Sequence, residues 1–135
     1  MKEHVESLCR QHEELRALAD EYERELGKAN ADLAALASCR WKLARLVSSH
    51  LAYERTYVLS ALATCGGAAS QRFAEDLRKV GDRLSGHVRE WTPAGIADDW
   101  AGYGRACRAL INLLRAQMAS EEAELYPLLL KAKAA

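Results

Sequence analysis

Apolar side chains recur at alternating steps of three and four along nearly the whole chain, the period of helices that bury one face. The first run reads Val5, Leu8, His12, Leu15, Ala19, Tyr22, Leu26. The second reads Leu36, Leu43, Val47, His50, Glu54, Tyr57, Ala61, with Cys39 or Arg40 at the skipped step. The third reads Phe73, Leu77, Val80, Leu84, His87, Trp91, and the fourth Tyr103, Cys107, Leu110, Leu114, Gln117, Glu121, Leu125, Leu128. Breaks fall at Gly27-Lys28-Ala29-Asn30, at Thr64-Cys65-Gly66-Gly67 and at Thr92-Pro93-Ala94-Gly95. Gly27 can close one helix and Asn30 start the next; Asp98 is a suitable N-cap for the last. The pattern predicts helices over about 3–27, 31–63, 69–92 and 98–132, with Pro93 either ending the third or only kinking it. No strand pattern competes. Short connections make neighbours antiparallel, so the expected fold is an all-α, up-down-up-down four-helix bundle.

Composition narrows this picture. The 135 residues suit one domain, 1–135, and half of them are hydrophobic, enough for a core. Nineteen basic residues balance nineteen acidic ones without a concentrated basic face, which argues against nucleic acid as a partner. No apolar run approaches the ~20 residues of a membrane span. The polar start MKEHVESLCRQHEELR lacks the apolar core of a secretory signal, so the expected location is cytoplasmic. Cys9, Cys39, Cys65 and Cys107 form no CxxC pair and read as small buried or half-buried hydrophobes. Trp91 continues the third stripe as core, Trp100 is placed to cover the bundle end, and His4 is expected to be solvated. Trp41 falls off the stripe, and its exposure would make a homodimer or protein partner plausible.

Polar side chains interrupt the stripes where core residues belong: His12, His50, Glu54, His87, Gln117 and Glu121. Burying an unpaired carboxylate costs several kcal/mol or more, so something must compensate. A metal ion is one answer, because imidazole and carboxylate suit iron, zinc or manganese and bundle cores assemble such ligands. A network of buried hydrogen bonds, completed by water, is the other. His50 and Glu54 form an HxxxE pair one turn apart, able to address one ion from one face. Reflecting positions through the predicted turns sets His12 opposite His50, with Gln117 at the same level. The same reflection lands near residues 83–84 on the third helix and leaves His87 about a turn away. Nothing in the sequence indicates a catalytic nucleophile with a base, a phosphate loop or the paired ExxH motifs of di-iron oxidases, so no enzymatic activity is expected.

Three segments, in this order, resemble the hemerythrin family and its HHE cation-binding branch. They are Leu8-Cys9-Arg10-Gln11-His12-Glu13-Glu14-Leu15, His50-Leu51-Ala52-Tyr53-Glu54 and Glu121-Glu122-Ala123-Glu124-Leu125-Tyr126-Pro127-Leu128. The resemblance covers nearly the whole chain. It implies a bundle holding two bridged irons that bind dioxygen or sense oxygen, nitric oxide or iron. It carries the metal-ligand role to His12, His50, Glu54 and Glu121, with Glu122 a rival source of the bridging carboxylate. Two departures leave the ligand set incomplete. Gln117 stands where the family has histidine, and the third helix offers Val80, Gly81 and Leu84 at the level of the site. The resemblance therefore implies one iron, two, or none, in a non-enzymatic protein that binds a metal or small ligand or senses redox state. A metal-free interaction or regulatory module is the alternative. Histidines at positions 117 and 81 would be expected to restore iron binding.

Overall fold

The computed structural model describes residues 1–65 and 67–134, and the side chains of all of these except 65 and 132–134. The predicted break at Gly66 and the predicted burial of Cys65 lie outside the described residues. Helix α1 spans Lys2–Leu26 and α2 Leu33–Tyr53, followed by a π-helical turn, Glu54–Val58, and by α3, Leu59–Cys65. Helix α4 spans Ala68–Glu90, α5 Pro93–Asp98 and α6 Trp100–Ser120; a second π-helical turn, Glu121–Leu125, leads into α7, Tyr126–Ala134. The fold is all-α, with no strand among the described residues. Among them, no helix is long and apolar enough to cross a membrane.

The predicted stripe positions supply much of the core, which Leu62, Ile96, Ile111 and Leu129 complete from outside the stripes. Leu8, Leu36, Leu62, Leu77, Ile96, Leu110, Ile111 and Leu129 are almost completely buried, each contributing about 1.5–3 kcal/mol relative to exposure. Contacts between helices pair residues that advance along one and retreat along the other. On α1 and α2 these are His4 with Tyr53, His12 with His50, and Glu21 with Cys39. Arg115 of α6 reaches Asp20 and Glu23, while Arg108 donates to the Leu26 carbonyl. Arg40 of α2 donates to the Trp91 carbonyl just beyond α4.

Helix starts differ from the expectation at two places. Asp32, not Asn30, caps α2 by accepting from the Ala35 N–H at 3.1 Å. The last long helix starts from Asp99, not Asp98, because Thr92-Pro93 begins a short helix of its own. The Thr92 hydroxyl accepts from the Gly95 N–H at 3.1 Å and proline occupies the first turn, a combination that favours helix initiation. Asp99 then accepts from the Gly102 N–H at 2.9 Å, and a Cβ on Gly102 would run into that carboxylate. Gly67, before α4, has φ +75°, a conformation that glycine tolerates and L side chains rarely adopt.

The larger correction concerns phase. After Glu54 the sequence pattern continues inward at Tyr57 and Ala61, but the buried positions are Val58 and Leu62, and Tyr57 is 40 % exposed. After Glu121 the pattern predicts Leu125 and Leu128, whereas Tyr126 and Leu129 are buried and Leu128 is 40 % exposed. Both slips are one residue long and both follow a π turn. There the Leu59 N–H reaches back to the Glu54 carbonyl, and the Tyr126 N–H to that of Glu121, each spanning five residues instead of four. The extra residue advances every later side chain by one position.

Candidate metal centre

Four side chains converge between the long helices: His12 from α1, His50 from the end of α2, and Glu54 and Glu121, which open the two π turns. Each is at most 5 % exposed, and one ligand atom from each lies within 4.8 Å of all the others. His12 Nε2 is 3.1 Å from both His50 Nε2 and Glu121 Oε1. His50 Nε2 is 3.1 Å from Glu54 Oε1 and 3.8 Å from Glu121 Oε1. The HxxxE spacing places His50 and Glu54 on one face. The antiparallel register then brings His12 opposite His50.

The outer edges of both rings are fixed. His12 Nδ1 lies 3.1 Å from Glu122 Oε2, and Glu122 is itself bound by the Arg16 guanidinium. His50 Nδ1 lies 2.8 Å from Gln11 Oε1. Glu122, ionised beside Arg16, only accepts, as does an amide oxygen. Each imidazole therefore carries a proton on Nδ1, and both Nε2 atoms face the centre, where a proton or a metal ion can occupy them. Outer acceptors orient metal-binding histidines in this way. Glu122 thus braces His12 and Arg16 and lies outside the four converging ligand atoms.

Inside, acceptors outnumber donors. Two Nε2 atoms and the carboxylates of Glu54 and Glu121 face the Tyr126 hydroxyl and the Gln117 amide, which donates to Glu121 Oε2 at 3.0 Å. Glu54 Oε2 is buried without a partner. Two imidazole Nε2 atoms 3.1 Å apart and an orphaned carboxylate oxygen call for a proton or a cation among them, and the donor set fits a metal ion.

The local electrostatics follow the same imbalance. Burial pushes the Glu54 carboxyl up to about 8, aided by the charge of Glu121 and opposed by His50. For Glu121, burial acts upward too, but hydrogen bonds from His12, His50, Glu54 and Gln117 hold it well below the usual carboxylate range. Burial works against a charged His50, yet its bonds to Glu121 and Glu54 raise it to about 9. The cluster tends to retain a positive charge beside its carboxylates.

Several expected participants lie elsewhere. His87 is away from the cluster: its ring stacks on Tyr103 at 5.6 Å, and its buried Nε2 has no partner. A Cβ on Gly81 would face Arg55 and Leu51 at ordinary contact distance, with none of the four ligands within 4 Å. On α4, Val80 lines a cavity of about 30 Å³ together with His50, Glu54, Gln117, Glu121 and apolar neighbours such as Leu51 and Met118. His4 is not simply solvated, since Nδ1 lies 2.7 Å from the Tyr53 hydroxyl and its ring stacks on Tyr57. Trp91 is half-buried against the core, and Trp100 donates to the Lys28 carbonyl at 3.0 Å. Cys39 and Cys107 are buried and Cys9 half-buried, all three free.

The sequence reading missed Gln11 and Tyr126. Tyr126 is five residues beyond Glu121, and only a π turn brings that spacing onto one face. Its hydroxyl sits 3.2 Å from His12 Nε2 and 3.3 Å from both Glu54 Oε1 and Glu121 Oε1.

Comparison with known proteins agrees with this geometry. Neither the curated proteins nor the solved structures include a match to the chain. The family model for the hemerythrin HHE cation-binding domain matches residues 3–129, which takes in every element that contributes to the cluster. The chain therefore belongs to the hemerythrin HHE cation-binding family.

Proposed function

We propose that this protein binds one metal ion, with iron the leading candidate, through His12, His50, Glu54 and Glu121. One observation carries the reading: four buried ligand atoms lie within 4.8 Å of one another, and both imidazoles are turned to face them. The opposed residue pairs support an up-down-up-down course for the four long helices. When bound, the ion would supply a Lewis-acidic, redox-capable centre. The chain's own part is to hold that centre dry and to neutralise it with two carboxylates. We read the protein as a non-enzymatic binder or sensor of redox state or a small ligand. Three free cysteines support a reducing, cytoplasmic setting.

Gln117, where the resemblance leads one to expect histidine, and Val80, which lines the adjoining cavity without a donor atom, favour one ion over two. Native mass spectrometry with elemental analysis tests the reading. One ion per chain is expected, lost in a His50→Ala, Glu54→Gln double variant. A folded wild-type protein that retains no iron, zinc or manganese after loading would overturn it. The second reading, a metal-free interaction module, is favoured by Trp41, 68 % exposed on α2. It would gain support if a Trp41→Glu variant abolished self-association.

A further inference from the structure

The Tyr126 hydroxyl sits beside three of the four clustered ligand atoms. Ligand atoms about 2.1 Å from a common ion lie about 3.0 Å apart at right angles and about 3.4 Å apart in a tetrahedron. The Tyr126 oxygen is 3.2–3.3 Å from three of the four proposed ligands, which is the edge length of such a polyhedron. The ring is buried and stacks against His12 at 5.6 Å, so the hydroxyl cannot swing out without opening the core. The π turn at Glu121–Leu125 delivers Tyr126 and Glu121 to the same point five residues apart.

We propose that Tyr126 is a fifth ligand, its oxygen coordinating as phenolate and directing the site toward a trivalent, oxygen-preferring cation such as ferric iron. This rests on the metal-binding reading above. As the oxygen–metal bond forms, the phenol O–H bond breaks and the proton leaves through the neighbouring carboxylates to solvent. Charge counting favours the same class of ion. Glu54, Glu121 and the phenolate carry three negative charges, which a trivalent ion neutralises, and a buried site tolerates little residual charge. Carboxylate and phenolate oxygens make the donor set harder than two imidazoles would alone.

The test loads wild-type protein and a Tyr126→Phe variant with ferric iron supplied as its citrate chelate. Iron per chain is measured by elemental analysis and phenolate-to-iron charge transfer by visible absorption. The wild type should bind one iron and show the band. The variant should keep a bound ion, lose the band entirely, and bind ferric iron on the order of tenfold or more weakly. Tyrosinate ring vibrations enhanced on excitation into the band give a second readout in the wild type, independent of how the variant folds. An iron-loaded wild type without band or enhanced vibrations would overturn the proposal and leave the four-ligand centre standing. A band that survives in the variant would do the same. Failure of the wild type to bind iron would remove both.

Discussion

At the scale of single residues, the centre was legible where polar chemistry intrudes on an apolar period. His12, His50, Glu54 and Glu121 stand at positions where the period asks for leucine, and the structure gathers all four. Gln11 was not legible, because a glutamine beside a stripe is ordinary helix surface until the fold sets it against His50 Nδ1. That contact has a measurable consequence. Gln11→Leu should leave the fold intact and weaken metal binding roughly 10–100-fold, because His50 loses the acceptor that fixes its tautomer and orientation. Competition against a chromophoric chelator would measure it. Unchanged affinity would mean that Gln11 does not position His50.

At the scale of elements, the helices could be read from the sequence but their phase could not. A π turn leaves almost no signature in composition, since any helix-forming residues can adopt it. Its presence emerges only from which later residues are buried. Ala123, inside the second π turn, is exposed. Its substitution by serine should change stability by no more than about 0.5 kcal/mol. An alanine inserted after Ala123 would instead add a second surplus residue and rotate Tyr126 and Leu129 off the core, costing on the order of 3–6 kcal/mol. Urea unfolding of the two variants separates these outcomes, and equal stability would mean the turn does not set the register. Gly102→Ala makes a second element-level test. The added methyl displaces the Asp99 carboxylate from the start of α6, a loss of about 1 kcal/mol.

At the scale of the whole molecule, acid sensitivity should come partly from the end away from the metal centre. Burial, with Arg40 and Arg83 nearby, lowers His87 from 6.5 to about 4. The unfolded chain therefore takes up a proton before the folded one does. The stability tied to neutral His87 is complete above pH 6.5, falls as pH drops from 6.5 toward 4, and levels off below. Because the ring is partly exposed, the effect should be about 1–2 kcal/mol. His87→Leu should flatten that part of the profile in thermal unfolding across this range. A metal held by the folded state alone would act globally too. At a hundredfold excess over its Kd it would add about 2.7 kcal/mol and raise Tm by on the order of 10 °C.

The small cavity between Val80, Gln117 and the ligands gives this interior a direction in which it can change. An imidazole in place of the Val80 isopropyl group would grow into room that already exists, whereas one at Gly81 would meet Arg55 and Leu51. On the one-ion reading, the number of ions this scaffold holds would turn on two side chains. Paired Val80→His and Gln117→His exchanges would turn a one-ion chamber into a two-ion chamber without rebuilding its walls.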